Sequence, residues 1–135
     1  MTDSDGTSID PQAGKGPVVS VTLDGAALAK LRELDPDGSR GVTRRVLTTF
    51  DSLLVRWLGQ LAGDAGPVDA AALGMMSHTL KSSASSVGAQ ELARACADVE
   101  RRLRTGGLVD LPAEIQRLST QGQAALLAVR AILRA

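Results

Sequence analysis

At 135 residues, 44% of them hydrophobic, the chain is long enough for one domain with a core of its own, and its folding requires neither disulfides nor metal. Its 15 Lys and Arg residues balance 15 Asp and Glu residues, which excludes the basic excess of a general nucleic-acid binder. Phe50 and Trp57 are the only aromatic residues and tyrosine is absent, so the core must be built from Leu, Val, Ala, Ile and Met, a mixture that favours helices.

In chain order, residues 1–19 are rich in Asp, Ser, Gly and Pro without helical period, and read as a flexible tail ahead of a folded domain over 20–135. The initial methionine and this tail favour a free-standing protein. A short helix is predicted over Asp24 to Leu34, capped by Thr22 or Asp24, with Leu28, Leu31 and Leu34 at i+3 spacing. Asp35-Pro36-Asp37-Gly38 supplies a turn. Ser39 is the expected cap of a long second helix, Arg40 to Ala62, whose apolar face runs through Val46, Phe50, Leu53, Leu54, Trp57, Leu58 and Leu61. Gly63 to Pro67 ends it.

The third helix is predicted from Val68 to Val87, with Gly88 as its terminator. At about 100° per residue, Leu73, Met76, Leu80, Ala84 and Val87 form its apolar stripe. His78, the single histidine, falls nearly opposite, so it should face water. Ala71, Gly74, Met75, Lys81, Ser82 and Ser85 share its face, and most are small. A low-relief surface around one nucleophilic side chain suits docking by a protein better than enclosure of a small substrate.

A fourth helix, Ala89 to Thr105, has Leu92, Cys96, Val99 and Leu103 on its stripe. Its arginines read as a solvated face, with Glu100 paired to Arg104 at i+4. Cys96 has no partner for a disulfide and reads as a buried, inert thiol. Asp110 and Pro112 open the last helix, which runs to Leu133 and is interrupted by Gly122. The fold class expected is all-α, an antiparallel four-helix bundle with an additional short N-terminal helix laid over one end. No stretch approaches the roughly 18 apolar residues of a membrane span, and no basic n-region precedes an apolar run, so a cytoplasmic location is expected.

The stretch His78-Thr79-Leu80-Lys81-Ser82-Ser83-Ala84-Ser85-Ser86-Val87-Gly88-Ala89 resembles the signature of histidine-containing phosphotransfer (HPt) domains, His-x-Leu-Lys-Gly followed by Gly-Ala at a fixed distance. The likeness continues into Leu92, Cys96 and Glu100 and covers the helical part of the chain. It implies a phosphorelay intermediate that takes a phosphoryl group from a receiver-domain aspartate and passes it to another receiver. His78 would be the phosphoacceptor and Lys81 the neighbouring charge, while Ser82 stands where the family has glycine. Met75, Ser82 and Ser85 are the expected docking residues. The implied partners are response-regulator receiver domains and a hybrid histidine kinase, with neither nucleic acid nor membrane involved and the chain a monomer. No cofactor of its own is expected, and Mg²⁺ belongs to the receiver.

Physical chemistry agrees with these roles. A neutral imidazole offers a nitrogen lone pair near pH 7, and histidine is a competent covalent nucleophile. Phosphoryl transfer needs positive charge near the equatorial oxygens, and Lys81 lies one turn from His78. No autokinase activity is expected, since no Gly-rich phosphate loop follows a strand. One histidine and one buried cysteine cannot complete a zinc site. The rival from another class is a helical adaptor that binds receivers without phosphotransfer. A general-base enzyme using His78 is disfavoured because the sequence displays no acidic or hydroxyl partner at clear spacing.

Overall fold

The computed structural model describes residues 23–106 and 109–134. The expected tail over 1–19 lies outside them. Five helices follow in order: α1 (Gly25–Glu33), α2 (Val42–Leu61), α3 (Ala70–Ser86), α4 (Gln90–Arg104) and α5 (Leu111–Arg134). Among the described residues there is no strand.

Three helices begin where an aspartate can accept an orphan backbone N–H. Asp24 Oδ1 accepts from Ala26 N (3.1 Å), Asp69 Oδ1 from Ala72 N (2.8 Å) and Asp110 Oδ1 from Ala113 N (3.1 Å). Each such cap contributes about 1 kcal/mol. The start of α2 departs from expectation. Ser39 does not cap it; Gly41 precedes the helix in the left-handed region (φ 63°) with no side-chain cap. The buried Asp35 carboxylate takes over, accepting from Arg40 N (2.9 Å) and Val42 N (3.2 Å). The turn thus carries its own cap, supplied from seven residues upstream.

The bundle is antiparallel. Along α2 and α5, Arg44 Nη1 donates to Leu133 O (2.9 Å), Arg130 binds Asp51 (2.8 and 3.2 Å), and Gly122 lies against Trp57 and Leu58. Along α3 and α4, Gly74 faces Leu103 and His78 faces Glu100. α4 and α5 are tied by Glu114, a buried acid that accepts from Arg102 and Arg117. By contrast, α2 and α3 meet sparsely, and their seam stays open to solvent.

Leu47, Leu54, Leu73, Leu80, Leu92, Val99, Leu118 and Val129 are fully buried and form the centre of the core. Cys96 belongs to the same cluster; burial pushes its thiol up to about 12, so it is protonated and unreactive. Two glycines are fixed by close approach. Gly122 is a notch in α5, since an added Cβ would lie 2.9 Å from Leu58 Cδ2 and 3.0 Å from Trp57 Cζ3. Gly88 has φ 85°, and a Cβ there would meet the Asp24 backbone N at 2.6 Å. Asp24 N also donates to Gly88 O (2.7 Å), which docks the start of α1 on the corner between α3 and α4.

Candidate functional site

α3 is amphipathic, and its buried stripe of Leu73, Leu80 and Ala84 turns His78 outward. The His78 side chain is 71% exposed. The face described from sequence is present: Met75 (72% exposed), Ser82 and Ser85 are exposed, and Lys81 is half-buried one turn beyond His78. Ser82 O accepts from Ser86 Oγ (3.0 Å), while Ser85 borders a shallow cleft beside α1.

The partner of His78 is one that sequence reasoning missed. Glu100 of α4 reaches across the antiparallel pair and bridges two residues of α3. Its Oε2 lies 2.6 Å from His78 Nδ1, and its Oε1 accepts from Lys81 Nζ at 2.6 Å. The expected pairing with Arg104 is not made, and His78 has an acidic partner that spacing along the sequence did not display. The geometry explains both. His78 and Lys81 are one turn apart on α3, and one carboxylate on the facing helix spans that distance with its two oxygens. Its position just beyond Val99 and one turn after Cys96, at the edge of the apolar stripe, was the available signal.

The electrostatics fix the proton on the imidazole. The Lys81 ammonium first, and the His78 ring second, hold the Glu100 carboxyl below the usual carboxylate range against a smaller opposing effect of desolvation. Glu100 is therefore ionised at neutral pH and only accepts. Nδ1 must carry the hydrogen, and in the neutral ring the lone pair then resides on Nε2.

Besides the cleft at Ser85, three open clefts flank this face. One, of 460 Å³, lies between α2 and the first half of α3, around Leu53, Trp57, Met75 and Met76. A second, of 500 Å³, continues past Leu53 along the same seam to Phe50 and Val87. The third, of 650 Å³, lies between α3 and α4 and contains Met75, His78 and Glu100. His78 thus sits on a broad, shallow surface with no enclosing pocket. Among the described residues, no group of three or more His, Cys, Asp and Glu side chains is placed to hold a metal ion. No described helix is long and apolar enough to cross a membrane.

A family model for the Hpt domain matches residues 43–132. Among solved structures, the chain is similar to histidine-containing phosphotransfer protein B (HptB) from Pseudomonas aeruginosa PAO1. The identity is 28%, the match covers 83% of this chain and 94% of that one, and the TM-score is 0.68. No curated protein sequence matches the chain.

Proposed function

Since the chain belongs to the Hpt domain family and is a histidine phosphotransfer protein of a two-component phosphorelay, we propose that His78 carries the phosphoryl group on Nε2. The observation that carries this assignment is the Glu100 contact at Nδ1, which leaves Nε2 as the unprotonated nitrogen of an exposed ring. His78 is also the chain's one histidine.

The Nε2 lone pair attacks phosphorus of an aspartyl-phosphate on a receiver domain, the partner class this family implies. An N–P bond forms, the P–O bond breaks, and its electron pair returns to the aspartate carboxylate. The ring gains positive charge, which the Glu100 carboxylate offsets through the Nδ1–H bond. Transfer to a second receiver reverses these steps. Lys81 places a positive charge one turn away, where the equatorial phosphoryl oxygens need it. Met75, Ser82 and Ser85 form the surface on which the receiver docks, and serine at position 82 is small enough to permit that approach. Domains of this family carry no cofactor of their own, and Mg²⁺ is supplied by the receiver. The same reading makes residues 20–135 the folded unit, a cytoplasmic monomer served by a hybrid histidine kinase.

The test is transfer from receiver domains carrying labelled aspartyl-phosphate to the wild-type chain and to His78→Gln. Label is expected on the wild type alone, as an acid-labile, base-stable adduct. Label on the variant overturns the assignment, and binding without transfer from any receiver would establish the adaptor reading instead. Glu100→Gln keeps the shape of the bridge but removes its charge, and should slow transfer at least about 10-fold, as loss of an orienting partner commonly does. Equal rates for Glu100→Gln and wild type would remove Glu100 from the mechanism.

A further inference from the structure

The three clefts that line the two sides of α3 are apolar in their floors and basic at their edges. Arg56 borders the first, Arg45 the second and Arg104 the third. The one acid bordering any of them is Glu100, and both its oxygens are occupied by His78 and Lys81. Among the described residues, Arg45, Arg56 and Arg104 make no ion pair and no side-chain hydrogen bond. Away from these clefts, Arg102, Arg117 and Arg130 bind carboxylates, whereas Arg32, Arg94 and Arg134 make no ion pair among the described residues; what sets Arg45, Arg56 and Arg104 apart is that they are unpaired on the rims of apolar clefts.

Resting on the phosphotransfer reading, we infer that Arg45, Arg56 and Arg104 are specificity determinants that select receiver domains presenting an apolar ridge flanked by carboxylates. Arg45 and Arg56 are 11 residues apart on α2, three turns, and so stand on one edge about 16 Å apart. Arg104 stands across α3 on α4. Arg104 shares its cleft with His78, and the clefts of Arg56 and Arg45 meet α3 at Met75 to Thr79 and at Ser83 to Val87. The apolar floors offer contact area to any receiver, whereas the cations distinguish among them. A carboxylate opposite each guanidinium speeds encounter and can be bound in bidentate fashion, and a basic partner surface is repelled.

The experiment measures second-order transfer from phosphorylated receiver domains of the source genome to wild type, Arg45→Gln/Arg56→Gln/Arg104→Gln and Arg94→Gln, at about 20 mM and about 300 mM salt. Arg94 is exposed and borders none of the three clefts. With the receiver that reacts fastest with wild type, the triple variant should lose about 10-fold or more at low salt and much of its salt dependence, while Arg94→Gln matches wild type. Saturating transfer within the docked complex should be unchanged. If the triple variant melts early, Arg45→Gln/Arg56→Gln is read in its place. Equal rates and equal salt dependence for wild type and the charge-removed chain, with His78→Gln still inactive, overturn this inference and leave the phosphotransfer reading intact. An equal loss in Arg94→Gln also overturns it, by reducing the effect to net charge. Failure of every receiver to label wild type sinks the phosphotransfer reading and this inference with it.

Discussion

The two sides of the bundle treat charge differently. On the side of α5, three arginines are neutralised within the molecule: Arg130 by Asp51 across α2 and α5, Arg102 by Glu114 across α4 and α5, and Arg117 by the same Glu114 within α5. These pairs lie over closely packed seams. On the side of His78, the seam between α2 and α3 is open, its edge arginines have no acid partner among the described residues, and the one acid is engaged with the functional pair. Charge satisfied internally holds helices together; charge left unsatisfied on an apolar rim is available to another molecule.

The contrast breaks first at Glu114. Glu114→Ala removes a buried acid and strands Arg102, which is itself 37% exposed at the side chain. Solvent screening at the arginine reduces the expected loss to about 2–3 kcal/mol in urea unfolding, below the usual figure for a fully buried pair. The same pair sets the acid limit. Its hydrogen bond to Arg102 chiefly holds the Glu114 carboxyl below its ordinary 4.5, and Arg130 likewise lowers Asp51 from 3.8. A depressed folded-state value means that the stabilisation is complete above the ordinary value and disappears as pH falls through the folded one. A pH series of melting temperatures should therefore decline below about pH 4.5, and the decline should be shallower in Glu114→Ala.

Next is Gly88→Ala, expected to cost about 2 kcal/mol because alanine tolerates the left-handed region poorly and its Cβ would strike the Asp24 backbone. Hydrogen exchange should show α1 losing protection ahead of α3 and α4. The smallest effect sharpens the comparison from the other side. Arg45→Gln and Arg56→Gln should each leave unfolding free energy within about 0.5 kcal/mol of wild type, since neither side chain binds anything in the described fold. A larger loss at either position would mean that the open seam is held together by its arginines after all.

Much of this arrangement was legible in the residues. The spacing of apolar positions places all five helices to within a few residues, and it correctly turns His78 away from Leu73, Leu80 and Ala84. What periodicity cannot supply is the register between helices. Glu100 lies 22 residues from His78, and only the antiparallel offset of α3 and α4 brings the two together. The cap of α2 was misplaced for a similar reason: Ser39 has the right chemistry, but the helix starts two residues later than expected, after Gly41, and the buried Asp35 accepts from Arg40 N and Val42 N instead. Gly122 reads along the chain as a flaw in a helix, whereas in three dimensions it is the space that Trp57 and Leu58 occupy.

Trp57 gives the open seam an optical handle. It is the only tryptophan, no tyrosine accompanies it, and its indole Nε1 donates to Met76 O (3.3 Å) across α2 and α3 at the wall of the first cleft. Ultraviolet emission from this chain therefore comes essentially from one fluorophore, placed where α2 and α3 part. A binder entering that cleft would alter the polarity around the indole without any label being attached. A binder confined to the far side of α5 would leave the emission spectrum as it is.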